Sequence, residues 1–223
     1  MASGNIPTYV GSIAVLPGRE EDEVWISVLR TIDGEFIRTI ERMTPRDFGD
    51  QEDAFFVDSG VLYDGDATTT IDGLDHLEGE TVAILADGAV IPSQTVSGGE
   101  ITLPESISKA AVGLPFRYIL EPMRIDVSNA SGNTMGSEKK ITELSVSFIE
   151  TMNAKYGKDV DNLYPFNWRT TEPYTSPPVM FTGDKTVIFD GGFSTEDSIV
   201  ISGDDPTPCT VRSIVARVDK VGR

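Results

Sequence analysis

Asp-Gly and Gly-Gly dipeptides recur along this chain between short runs rich in β-branched and aromatic residues. Such punctuation suits strands joined by tight turns and leaves little room for a long helix. The run VWISVLRTI (24–32) is followed by Asp33-Gly34 and then by EFIRTIERM (35–43). Both central residues of a type I′ turn need φ > 0, which Asp and Gly tolerate best, so these pieces predict a hairpin. The device recurs at ETVAILA (80–86), Asp87-Gly88 and AVIPSQTV (89–96), and Ser97-Gly98-Gly99 then leads into 100–103. That order predicts a three-stranded meander. Pro92 cannot donate a ladder hydrogen bond, which puts its strand at an edge or at a bulge. Asp64-Gly65 reads as another turn, ahead of the Thr-rich run 68–71. Gly34, Gly65 and Gly88 are therefore expected at positive φ.

Further strands are predicted at 116–120, 141–149, 179–182, 186–189, 199–202 and 210–218. In 141–149, Leu144, Val146 and Phe148 alternate with Glu143, Ser145 and Ser147, the period of a strand with one buried face. One short helical turn is expected within 150–158. Loops are expected at 44–53, 129–139 and 159–178. The last holds four prolines together with Tyr164, Phe166, Trp168 and Tyr174. Aromatics in so long a loop either anchor an interface or pin the loop to its own core. The fold class is all-β, an antiparallel β-sandwich-like platform with a small inserted β-barrel-like domain. The expected platform is 1–72 with 126–223, and the insert is 73–125.

A chain of 223 residues buries about 70% of its unfolded surface. With 21 Gly and 13 Pro it stays below the roughly 25–30% that marks low-complexity disorder. Charge is uneven, since 18 Lys and Arg face 36 Asp and Glu for a net −18. A phosphate-gripping surface is excluded as the main design, because nucleic-acid affinity rests on clustered cations that release counterions. The excess acid serves either plain solubility or a surface that must not hold DNA. Cys209 is the single cysteine, so no intrachain disulfide is possible. The N-terminal residues carry no signal-peptide pattern, and no apolar run approaches the ~18–20 residues of a membrane span. Neither export nor membrane insertion is expected, and the Asn129-Ala130-Ser131 sequon reads as chance.

Each catalytic template lacks an ingredient. His76 is the single histidine, so any triad would need it as base, yet it sits between Leu74-Asp75 and Leu77, where a packed, hydrogen-bonded histidine is expected. Cys209 lies at the entry to a strand. No GxGxxG, GxxxxGK[ST] or HExxH occurs. Acid pairs such as Glu20-Glu21-Asp22-Glu23, Asp64/Asp66, Asp159/Asp161 and Asp204-Asp205 abound because acids abound. Asp64-Gly65-Asp66 and Asp159-Val160-Asp161 complete no EF-hand loop and read as solvated turn acids. The chain is thus expected to be no enzyme, with no catalytic, cofactor-binding or metal-binding residue and no cofactor.

Four stretches carry a resemblance: GSIAVLPGREEDEVWISVLRTIDGEFIRTIERM (11–43), DAFFVDSGVLYDG (53–65), GLDHLEGETVAILADGAV (73–90) and VSGGEITLPESISKAAVGLPF (96–116). Together they resemble the C-terminal region of the tail nozzle, or tail tubular protein B, family of short-tailed bacteriophages, also labelled stabilisation or tail hub proteins. Weaker similarity extends through 139–151, 179–193 and 206–218. Members of that family are several hundred residues longer, with a propeller-like β region upstream. The resemblance implies a non-enzymatic virion component of the tail. Its partners would be copies of itself in a ring, commonly a hexamer, other phage tail proteins, and DNA in passage. A conduit lined by carboxylates repels phosphate, so DNA slides without being trapped. Unpaired strand edges offer sites for ring closure, and the charged run 19–23 before Val24 and Trp25 is either a solvated lead-in or part of an interface. The alternative is a carbohydrate- or receptor-binding β-module in which Trp25, Trp168 or Tyr174 stacks on sugar. An envelope hydrolase using an acid pair is a third reading.

Overall fold

The computed structural model describes residues 8–18, 21–45, 47–125, 128–129, 132–133, 137–169, 176–196 and 198–220. Among them the protein is all-β, with every strand pairing antiparallel, no α-helix, and two single 3-10 turns at Gln51–Asp53 and Asp75–Leu77. The chain divides into two compact units, Met1–Pro115 and Phe116–Arg223.

The first unit holds β1 (Tyr9–Leu16), β2 (Glu23–Ile32), β3 (Glu35–Arg42), β4 (Asp58–Ile71), β5 (Thr81–Ala86), β6 (Ala89–Thr95) and β7 (Ile101–Leu114). They form two sheets, in the orders β1-β2-β3 and β4-β7-β5-β6. The β2–β3 and β5–β6 hairpins turn as their dipeptides predict. Asp33 and Gly34 have φ of 46° and 80°, and Asp87 and Gly88 have 45° and 74°. The expected meander is corrected, because β7 returns to pair with β5 and leaves β6 at the edge. Five of the six residues of β5 are buried, so it needs partners on both sides, and Pro92 makes β6 a poor central strand. The pairing slips by one residue beside Pro92, between Val82/Gln94 and Ile84/Ile91, which is the bulge its ring requires.

Two further expectations are corrected here. Gly65 lies inside β4 without positive φ. The Asp64-Gly65 pair is absorbed in a bulge, where Asp64 pairs with Lys109 but Thr68 with Ile107. The span 73–125 is not a separate insert either. β7 runs for 14 residues, long enough to pair with both β4 and β5, and this ties the expected insert to the expected platform. The core of the unit joins Ile71, Val82, Ile84 and Val112 from the second sheet, and Leu74 and Leu77 from the 3-10 turn between β4 and β5, to Ile32 at the end of β2.

The second unit holds β8 (Tyr118–Leu120), β9 (Ser128–Asn129), β10 (Gly132–Asn133), β11 (Lys139–Thr151), β12 (Lys155–Asp159), β13 (Asn162–Pro165), β14 (Phe181–Ile188), β15 (Val200–Gly203) and β16 (Thr210–Lys220). Its sheets run β14-β11-β16 and β13-β12-β15-β8, with β9-β10 a small ribbon. Leu144, Val146 and Phe148 point from β11 into a core shared with Ala154, Phe166, Trp168 and Ile201, as their alternation predicts. The helical turn expected within 150–158 is replaced by strand: Glu150 takes φ 44° at a register shift, and β12 begins at Lys155. Two predicted strands at 179–182 and 186–189 are one, β14, which passes through Gly183. Part of the expected 159–178 loop is also strand, β13, and its Phe166 and Trp168 are buried against Phe148 at ring-centroid distances of 5.2 and 5.1 Å. These aromatics fasten the loop to its own core, each burial stabilising by about 2–3 kcal/mol. Tyr174 and the residues around it lie outside the described residues.

Candidate functional site

All eight residues of β1 are exposed, although YVGSIAVL is apolar enough for a core strand. Register explains the pattern. Val10, Ile13 and Val15 pair with Val28, Ile26 and Val24, so all six side chains share one face of the sheet. Further along that face Val28 and Ile32 are buried, whereas at the β1 side Ile13 is 67% exposed. The opposite face carries Tyr9 and Leu16 of β1 with Phe36 and Ile40 of β3, Ile40 being 77% exposed. β1 is also the edge of its sheet. Edge strands are ordinarily blunted by charge or proline, and β1 has neither. An unprotected apolar edge of this kind is a template for pairing with another chain.

Beside this sheet lies an open groove of about 790 Å³. Its walls include Ile26, Ile40 and Met43 from the hairpin and Phe55, Leu62 and His76 opposite. The hairpin is held in place by Arg30. Its Nε and Nη2 donate to the two carboxylate oxygens of Glu41 at 2.8 and 2.7 Å, and Nη1 and Nη2 donate to Asp58 at 2.6 and 2.7 Å. Arg30 is 5% exposed, and both its carboxylate partners line the groove. The hydrogen bond to Glu41 outweighs burial and keeps the guanidinium charged. Burial alone would raise the Glu41 carboxyl, yet bonds from Arg30 and then Thr39 outweigh it, and its pKa falls below the ordinary carboxylate value. The sequence signal for this clamp is an arginine in the apolar-face alternation Val24, Ile26, Val28, Arg30, Ile32. It passes unnoticed when only turns and runs are read.

His76 Nε2 lies 2.8 Å from the Ser59 carbonyl oxygen, and Leu74 and Leu77 beside it are fully buried, the packed arrangement expected. Burial pushes the Cys209 thiol up from its ordinary value in spite of bonds with Tyr118 and Thr151, so this sulfur is a poor nucleophile. The Tyr118 hydroxyl donates to the Asn153 carbonyl at 2.9 Å, and burial followed by Cys209 raises its pKa. Asp205 is raised by burial and then by Asp204. Asp159 accepts from the backbone N–H of Asp161 and Asn162 and from the Asn162 side chain, which lowers its pKa, and thus caps a turn. Asp64 and Asp66 are exposed in β4. Among the described residues no group of three or more His, Cys, Asp or Glu is placed to hold a metal ion. No helix among them is long and apolar enough to cross a membrane.

Of the aromatics proposed to stack on sugar, Trp168 is buried, with the Lys185 ammonium 5.1 Å from its ring centre. Trp25 is half-buried and donates through Nε1 to Glu23 at 3.0 Å. Within 19–23, Arg19 and Glu20 lie outside the described residues, as do Ala130 and Ser131 of the sequon; Glu23 also accepts from Arg42 at 3.0 Å. No protein-family model matches the chain, and no curated protein matches it.

Proposed function

We propose that this chain is a structural subunit of a bacteriophage tail, a nozzle- or hub-type component of a ring that lines or closes the DNA exit channel, and that it works without catalysis. The observation that carries this reading is β1, an apolar edge strand bare of charge and proline. Such an edge is costly to leave in water, and pairing with the next subunit would cover it. A contact that repeats by rotation closes a ring, and a hexamer is the ring number that the sequence resemblance implies. The net charge of −18 suits a conduit, because an excess of carboxylates repels phosphate. Other tail proteins would meet the ring at its two ends, in the virion. Arg30, which clamps the hairpin behind β1, is in this reading what holds the edge rigid enough to pair.

The mass of the assembled particle tests the proposal. The wild-type chain at micromolar concentration is expected to give a closed oligomer by native mass spectrometry. The double change Ile13→Asp and Val15→Asp, both at exposed positions, is expected to yield a monomer with an unchanged circular dichroism spectrum. A monomeric wild type, or a ring indifferent to both charges, would refute the reading.

A further inference from the structure

We propose that a cleft in the second unit, formed where β12 and β13 meet the end of β14, binds a short neutral saccharide. This goes beyond the assembly role and does not depend on it. The cleft encloses about 400 Å³, within the range of small-ligand sites and roomy enough for one or two hexoses. Tyr156 and Tyr164 are directly paired across the β12–β13 ladder, so both rings stand on the same face, 6.1 Å apart between centroids. Tyr164 is 58% exposed and Ile188, on the facing wall, 83% exposed. Apolar side chains left in water on both sides of a cleft mark a place where something is meant to sit.

The platform is built, not incidental. Tyr156 is backed by Phe166 and the buried Phe189, at 4.7 and 6.4 Å, and its hydroxyl lies 3.4 Å from the Ile188 carbonyl. Gly157 of β12, paired with Leu163 of β13, has no room for a Cβ, which would collide with the Asn162 carbonyl oxygen. Only glycine lets β13 come close enough to align the tyrosines. Asp159 then locks the connecting turn through Asp161 and Asn162. A site held open by its own backbone loses little freedom on binding.

The chemistry of the lining selects the ligand class. An aromatic face carries negative π density, which attracts the weakly positive C–H face of a pyranose. Polar groups at the rim, Lys158, Asn162 and Asp190, supply donors and acceptors for hydroxyls. On the lining itself Lys158 and Asp190 balance, Asp190 lying 3.8 Å from the Lys140 ammonium, so no excess cation recruits an anionic sugar, and the chain's net charge disfavours one. A neutral oligosaccharide meets these conditions and an acidic one does not.

Calorimetric titration of the full chain with cellotetraose, β-1,4-galactotetraose, chitotetraose and tetragalacturonate tests this. At least one of the three neutral sugars is expected to bind at millimolar concentration or below, and tetragalacturonate is not. Tyr164→Ala, at an exposed position, should weaken binding by about tenfold or more, the size that losing one stacking partner implies. Tyr164→Trp should preserve binding, and saturation-transfer NMR should place the sugar C–H protons against the tyrosine rings. Silence from all three neutral sugars, binding of tetragalacturonate alone, or an affinity that survives Tyr164→Ala would overturn the proposal. The particle mass, read on the same samples, reports separately on assembly.

Discussion

At the scale of single residues, glycine does two different jobs in this protein, and substitution separates them. Gly34 sits at φ 80° with open space where a Cβ would go, so Gly34→Ala meets only backbone strain. It is expected to cost about 1 kcal/mol. Gly65, in β4 at ordinary φ, would meet only the tip of the Tyr63 side chain, and Gly65→Ala is expected to change stability much less. Gly113 is needed for close approach: a Cβ there would lie 2.7 Å from the Gly60 Cα and 2.8 Å from the Asp58 carbonyl oxygen. Backbone cannot step aside as a side chain can, so Gly113→Ala should cost about 2–3 kcal/mol. Urea unfolding of the three variants ranks them, and a Gly65→Ala loss as large as that of Gly34→Ala would mean β4 is wrongly described. The dipeptide Asp-Gly looked the same at 33, 64 and 87. Only at 64 do flanking residues prefer to continue a strand long enough to absorb the pair as a bulge.

At the scale of elements, the β2–β3 hairpin is docked by a charge cluster that titrates. Glu41 has a lower pKa in the folded protein than when unfolded, so the unfolded state binds more protons in the acid range. The stability this group contributes is fully present above its unfolded pKa near 4.5 and is lost as pH falls through the lower folded value. Wild-type protein should therefore lose stability on acidification below about pH 4.5. Arg30→Met leaves Glu41 and Asp58 without their cation and is expected to cost about 3 kcal/mol at neutral pH. It should also flatten that acid dependence, since protonating an unpaired Glu41 no longer breaks a bond. Melting temperatures of both proteins between pH 3 and 7 check this: parallel curves would show that Glu41 in the clamp does not carry the acid dependence, and coincident ones that the clamp does not stabilise the fold. Arg30 was legible as an exception to its strand's alternation, but its partner Asp58 is 28 residues away in sequence, beyond any local pattern.

At the scale of the whole molecule, apolar edges favour association while a charge of −18 opposes it. Salt shortens the reach of that repulsion, the Debye length falling to about 10 Å at 0.1 M. If β1 drives assembly, the assembled fraction should rise as salt is raised over about 0.02–0.2 M, as measured by sedimentation velocity. Dissociation by salt would show instead that ion pairs hold the particle. Gel-shift assays with duplex DNA should show no retention at about 0.1 M salt, and a retained complex would contradict a non-sticking channel wall. The sequence YVGSIAVL does not by itself mark β1 as exposed; that is decided by the edge position it takes in its sheet.

The β2–β3 and β5–β6 hairpins and the one-sided burial of β11 were determined by the sequence alone, because the two-residue period and the left-handed preference of Asp-Gly act within a few bonds. So were the net charge of −18 and the lack of an intrachain disulfide, which follow from counting. The tertiary structure decided which strands lie side by side, where the chain divides, that Arg30 is buried and Trp168 packed, and that Tyr156 and Tyr164 share a face. Those outcomes depend on which distant surfaces exclude water together, and no local stretch of residues carries that choice.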